Sequence, residues 1–395
     1  MRFDLTKTVQ SSLCLGCGLC EGLGAAEGVV MQEGQSGFYE PILPGSMSGK
    51  LRKELGEFCP GVNVECIDNK ETFCGHVEAA YEGWSNEEEI RRKASSGGII
   101  TALACYLLRT QQVTAVLQVG VREGDFLHNE LKVSRTEEEV MSCASSRYAP
   151  ALMFHKLPAL LAKKDEIYLF VGKPCDVMTL KKYMGKHPEY SSRIRYFLSL
   201  VCAGMPSYNA SWQLIHRAGN PTSPVELKYR GDGWPGDFKV RFQNGGEYHC
   251  SYNDSWGKVL GRSVQFRCKI CPDGIGQWSD LVVGDAWHTV DGYPDFREQD
   301  GKSFILARTQ KGKDLLESAF RDNTIMLRKM DLNRLPQMQP YQYLRLKSVF
   351  YRLVPAWFLT KGRLKIHRLR IPWFNPVKGC RISAGTIYRF YKRTK

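Results

Sequence analysis

The chain has 395 residues, with 43% apolar and 24% charged side chains, and 55 Lys and Arg against 41 Asp and Glu give it a formal net charge of +14. This is the composition of a soluble globular protein long enough for two or three domains. Fourteen cysteines are too sparse for a secreted disulfide scaffold, the start MRFDLTKTVQ has no signal-peptide core and no apolar run would cross a bilayer, so we expect a reducing, cytoplasmic compartment where thiolates stay available for metal.

Residues 1–80 are rich in glycine and hold six cysteines. Cys14, Cys17 and Cys20 have the C-x2-C-x2-C spacing that lets thiolates wrap the corners of a cubane cluster, with Gly16 and Gly18 freeing the turn. A fourth ligand usually follows in a Cys-Pro step, which here is Cys59-Pro60. Cys59 is therefore the expected ligand, with Cys66 and Cys74 as alternatives. A zinc knuckle or free thiols are the bland readings, though structural zinc sites more often use two separated pairs than a triple.

Beyond the polar joint SNEEEIRRK, the apolar positions Ile99, Ile100, Leu103, Ala104, Leu107 and Leu108 trace a helical face. Ser95, Ser96, Gly97 and Gly98 open that helix. Glycines and free N–H groups at a helix start suit a phosphate such as a flavin pyrophosphate, and the same residues also begin unremarkable helices. AVLQVGV (115–121) reads as a strand. IYLFVG and YFLSLV are short, continuous and apolar, as parallel strands covered on both faces are. Each releases a cysteine, Cys175 and Cys202, at its carboxyl end, the edge where open α/β sheets bind ligands. With Cys268 and Cys271 of FRCKIC they make a four-sulfur set suited to iron–sulfur or zinc. NGG at 244–246 predicts a hairpin, SDLVVGDAW and SFILAR return to the core, and KGKDLLESAF predicts a closing helix. The expected fold class is α/β: a small N-terminal iron–sulfur module (1–80), then an α/β domain with a mixed, partly parallel sheet (81–335).

The last segment, 336–395, is a basic aromatic extension. Residues 341–395 hold fourteen Lys and Arg and no acid, so they carry the whole charge excess. Phe350, Tyr351, Trp357, Phe358, Trp373, Phe374 and Tyr388 are interleaved, a mixture that suits an anionic membrane surface and ranks nucleic acid well behind it. Because Pro340, Pro355, Pro372 and Pro376 interrupt any long helix, the competing expectation is an irregular, solvated extension packed on the body.

The ordered set CLGCGLC, KASSGGIITALACYLL, SSRYAPA, VGKPCDV, LVCAGMPS, YRGDGWPG and CKICPDGIGQWSDLVVGDAW resembles the beta subunits of coenzyme F420-reducing hydrogenases and dehydrogenases. That family includes 7-hydroxymethyl chlorophyll reductase and bacterial relatives from polysaccharide gene sets. The resemblance implies an iron–sulfur flavoprotein oxidoreductase with one or two 4Fe-4S clusters and FAD, which passes electrons from a ferredoxin-like donor to a small-molecule substrate. It implies a flavin site at Ser95–Gly98, with Arg147 and Tyr148 of SSRYAP as further contacts. Lys173 stands where the family more often has Thr, and Ala203 where it has a larger or polar residue. The candidate polar groups for catalysis are Lys173, Asp176, Arg230, Trp234, Asp280 and Asp285, with Asp285 and Lys173 foremost. For Asp285 a plain turn role competes. The alternative of another class is a metal-stapled scaffold, without catalysis, at a membrane-associated polysaccharide complex.

Overall fold

The structure is a computed structural model that describes residues 3–43, 45–68, 70–219, 223–370 and 375–394. Pro372, Trp373 and Phe374 of the extension lie outside the described residues. The apolar segments Ala115–Val121, Tyr168–Gly172, Ile194–Leu200 and Leu281–Asp285 pair side by side in parallel. The helix Pro174–Lys186 makes one of the returns that parallel pairing requires. Ser303–Ala307, Ala79–Ser85 and Ile325–Lys329 extend the sheet on one side, and Asn129–Ser134 and Ala151–Leu152 on the other, giving a mixed sheet of nine strands among the described residues. Ile325–Lys329 at the edge follows the helix Gln310–Arg321, so the α/β domain does not close on that helix.

Both faces of the sheet are covered, which is why its central strands read as unbroken apolar runs rather than alternating ones. Side chains at alternate positions leave on opposite faces. Leu169, Leu198 and Leu281 pack with Ile99, Leu103 and Leu107 of the helix Ile99–Arg109 and with Leu315 and Leu316. Phe170 and Phe197 pack on the other face with Val177 and Leu180, in one core with Leu5, Leu19, Leu51, Leu55 and Phe58 from the first eighty residues. The cysteine-rich N-terminal segment is therefore a cover of the sheet. Beside this body stands a three-stranded antiparallel sheet, Pro224–Lys228, Phe238–Phe242 and Glu247–Cys250, whose last two strands form the hairpin at Asn244-Gly245-Gly246.

The extension departs from the irregular segment that its prolines predict. It forms the helices Pro340–Lys347, Val349–Leu359 and Pro376–Thr394. Pro340 and Pro376 begin helices, at the one position where a missing N–H costs nothing. Pro355 lies inside a helix and cannot donate to the carbonyl of Tyr351 four residues back. That carbonyl instead accepts a hydrogen bond of 2.8 Å from the Ser383 hydroxyl on the last helix. The extension also adds the strand Lys365–His367 in parallel to Asn63–Glu65, and buries Leu353, Ala356, Leu364 and Phe390 with Leu13, Val64 and Phe266.

Candidate functional site

Each central parallel strand ends on the same sheet edge, and a cleft of about 280 Å³ opens there. Ser95, Ser96, Gly98, Arg147, Tyr148, Lys173, Cys202, Arg230 and Asp285 all line it, with Tyr252, Trp256 and Trp287 as aromatic wall. Gly97 faces the sheet instead: a Cβ there would stand 2.5 Å from the Gly83 carbonyl oxygen and 2.8 Å from the Ser303 nitrogen, so only glycine lets the loop lie this close. Its N–H donates to the Ser303 hydroxyl at 2.9 Å. Gly98 takes φ +79° and caps the helix Ile99–Arg109. The Ser146 N–H donates to the Ser95 hydroxyl at 2.6 Å, which ties this loop to the SSRYAP segment.

Arg147 makes four hydrogen bonds to protein. Its Nε donates to Asn129 at 2.8 Å, Nη1 to the Leu227 carbonyl at 2.6 Å and Nη2 to the Phe126 and Leu127 carbonyls at 3.2 Å. Its guanidinium thus braces the cleft wall that it lines. Asp285 is likewise committed. Arg230 grips both carboxylate oxygens at 3.0 Å, and the Trp234 indole N–H donates to one of them at 2.7 Å. A carboxylate with both oxygens taken is poorly placed to collect a proton. Arg230 also donates to the Tyr148 hydroxyl at 3.2 Å, and its guanidinium lies over the rings of Tyr252 and Trp287.

Lys173 ends the strand Tyr168–Gly172 and holds Asp176 at 2.7 Å. Burial lowers its pKa, and Asp176 with the nearby Cys175 sulfur more than restores it, so a charged ammonium borders both the cleft and the cysteines. Asp280 is a correction. It precedes the strand Leu281–Asp285, with Lys181, Lys311 and the Phe197 N–H as partners, and so stands at the opposite edge of the sheet from the cleft.

The cysteines gather into two groups. Cys14, Cys17, Cys20 and Cys59 line one cavity with Leu15, Gly18, Met31 and Gly61. Backbone N–H groups of Gly16, Leu19, Glu21, Gly61 and Val62 point at these sulfurs. Gly16 permits this with φ +60°, its missing side chain leaving room for the Tyr39 carbonyl. In the second group Cys175, Cys202, Cys268 and Cys271 lie within electrostatic reach of one another. Cys66 lies within electrostatic reach of Cys271 and belongs to the apolar cluster that Cys59 borders, and Cys74 is buried against Thr72. Burial pushes the Cys14 and Cys202 thiols up to about 12, and those of Cys17, Cys20 and Cys175 well up too. Sulfurs so placed ionise only when a bound cation compensates the charge. Among the described residues no three His, Cys, Asp or Glu side chains are arranged to hold a single metal ion.

Two arginines that the sequence motifs give no reason to single out complete the site. Buried Arg267 donates to the Gly61 carbonyl at 2.9 Å and lies near Cys59, Cys66 and Cys268, so it stands between the two groups. Arg345, from the C-terminal extension, donates to the Cys202 carbonyl at 3.1 Å and the Ala203 carbonyl at 2.8 Å. Gln342 adds a bond of 3.0 Å to the Cys202 carbonyl. Leu15 of the first cysteine loop packs in one small apolar cluster with Cys175 and Cys268, so only a thin layer separates the groups.

Sequence profiles of the coenzyme F420 hydrogenase/dehydrogenase beta subunit match residues 80–157 with the N-terminal part and 165–332 with the C-terminal part. The F420-dependent formate dehydrogenase subunit beta of Methanocaldococcus jannaschii is 25% identical over 247 residues, 62% of this chain and 60% of the relative. The coenzyme F420 hydrogenase subunit beta of Methanococcus voltae is 24% identical over 268 residues, 65% of this chain and 86% of that subunit. The chain thus spans less than two thirds of the formate dehydrogenase subunit and most of the hydrogenase subunit. Among solved structures, a chain of the F420-reducing nickel–iron hydrogenase complex from Methanosarcina barkeri superposes with a TM-score of 0.53 at 20% identity, over 70% of this chain and 94% of that one. At this identity the likeness is one of fold.

Proposed function

Since this chain belongs to the coenzyme F420 hydrogenase/dehydrogenase beta-subunit family, we propose that it is an iron–sulfur flavoprotein oxidoreductase. Cys14, Cys17, Cys20 and Cys59 hold one 4Fe-4S cluster, and Cys175, Cys202, Cys268 and Cys271 a second. FAD occupies the cleft, its pyrophosphate on the loop Ser95–Gly98 at the start of the helix Ile99–Arg109. When bound, clusters carry single electrons and a flavin exchanges a pair or a hydride, so a chain with both converts one currency into the other. The observation that carries this reading is that the Ser-Gly loop and Cys202 of the second cysteine group line one and the same cleft.

The chain's own residues hold and shield the site. Lys173 places a fixed positive charge between the cleft and the second cysteine group, favouring added negative charge on either side. Asp285 acts through Arg230: it orients the guanidinium so that Tyr148, Tyr252 and Trp287 stay fixed as the wall against which a small-molecule substrate is held. Trp234 stacks on Trp287 at 4.6 Å and helps keep water out. The relatives' names make the deazaflavin coenzyme F420 one substrate to try, and a ferredoxin-like protein is the donor proposed for the first cysteine group.

Purification without oxygen tests the reading. We expect flavin released on denaturation, acid-labile sulfide, and a broad visible absorbance bleached by reductant. A colourless preparation containing zinc instead would support the scaffold alternative. Lys173→Thr should keep flavin and iron while shifting the flavin's midpoint potential downward, because a cation that favours the reduced form is gone. An unchanged potential would remove Lys173 from the site.

A further inference from the structure

The helix Pro376–Thr394 has two apolar sides. Gly379, Thr386 and Phe390 turn inward, with Phe390 against Phe266 at 5.2 Å. Steps of three and four then place Val377, Cys380, Ala384, Ile387, Tyr388 and Tyr391 along a second stripe, and all six are exposed. Val377, Tyr388 and Tyr391 expose 63%, 66% and 53% of their surface, which is unusual for large side chains on a helix that already has a buried face. Lys378, Arg381, Arg389 and Lys392, also exposed, border the stripe along one side, and no acid occurs anywhere in residues 341–395. The neighbouring helix Val349–Leu359 shows Trp357 and Phe358 to solvent as well.

We propose that this helix is an interfacial anchor that lies flat on an anionic lipid surface. Among the described residues no helix is long and apolar enough to cross a membrane, so the surface is met side-on. A narrow apolar stripe with flanking cations meets the requirement of the headgroup boundary: some apolar area inserted, positive charge beside it and tyrosines at the polar level. Six side chains of one helix fall short of the roughly 20–30 residues a side, about 800 Å² per partner, that a stable protein interface buries. A second copy of this chain is further disfavoured because two such helices would face each other with like charges. The reading is independent of cofactor identity, since no residue of the stripe lines the cleft or belongs to either cysteine group.

Flotation of the full chain with phosphatidylcholine vesicles, with and without phosphatidylglycerol, provides the test. Binding is expected only to the anionic vesicles, and it should fall as salt is raised. Lys378→Glu with Arg381→Glu should weaken it by about tenfold or more, at roughly 1 kcal/mol per charge near the surface, and separately Tyr388→Ser with Tyr391→Ser should weaken it by removing inserted apolar area. Circular dichroism and iron content, unchanged in both double variants, establish that these exposed positions leave the fold intact. No binding to anionic vesicles, or binding that neither double variant alters, would overturn the proposal. A dimer in sedimentation that the tyrosine variant disperses would overturn it in favour of self-association.

Discussion

The two cysteine groups are built in opposite ways. The first rests on a local turn: three of its sulfurs fall within seven residues, glycines open the backbone, and neighbouring N–H groups converge on the sulfurs. The second draws Cys175 from the first turn of the helix Pro174–Lys186, Cys202 from just beyond the strand Ile194–Leu200, and a pair from the helix Phe266–Lys269 and the residues after it. Its backbone is then clamped from outside by Arg345 and Gln342. A local site depends on its turn, and a dispersed one on the whole fold, including a C-terminal extension that looks dispensable in the sequence.

Substitutions that break one group and spare the other sharpen this contrast most. Cys202→Ser should lose about half the iron of the anaerobic protein and Cys17→Ser the other half, each leaving one cluster's electron paramagnetic signal; total loss from either would merge the two sites into one. Next in size is Arg345→Ala. It removes a buried cation with bonds to two carbonyls, and a cost of about 2–4 kcal/mol is expected. Chemical denaturation should read this cost, and iron loss should be confined to the second group. Gly16→Ala forces φ +60° and a Cβ 2.8 Å from the Tyr39 carbonyl oxygen. About 1–2 kcal/mol of strain should fall on the first group only, seen as faster iron release to a chelator.

The effect that is smallest at neutral pH, and grows only in alkali, is one of pH on the metal-free chain. Folded thiols raised to about 12 are compared with about 8.5 in an unfolded chain. Their contribution to stability is complete below the unfolded value. It is lost as pH climbs through this window, because the unfolded state gives up thiol protons first. Thermal melts should therefore fall between about pH 8.5 and 12 for metal-free protein and shift less once iron is bound. A flat profile without metal would mean that the thiols are not buried as described.

Much of this architecture is written in short-range pattern. The runs IYLFVG and YFLSLV declare buried parallel strands, and SSGGIITALACYLL declares a helix that begins at a cleft, because continuous apolarity and helical period are local properties. The strand Ile325–Lys329 at the edge was not legible, being half exposed and mixed with charge. The helices of the extension were hidden because proline is read as a breaker. Two of those prolines sit at helix starts, and the third has its orphaned carbonyl met by Ser383, a contact that no local pattern encodes. Asp285 and Asp280 both read as candidate polar groups for the site, the first with a turn role in competition. The first has Arg230 as its partner 55 residues away in sequence, and the second lies a full strand length from the cleft. Arg267 and Arg345 carry no signal at all, since a buried arginine bonded to backbone carbonyls is a property of the assembled fold.

Iron and acid-labile sulfide counted per chain in anaerobically purified protein, beside Cys17→Ser and Cys202→Ser, address the central claim most directly. Two clusters are expected in the parent and one in each variant, with flavin retained in all three. A parent holding a single zinc, or both variants keeping the full iron content, would contradict it.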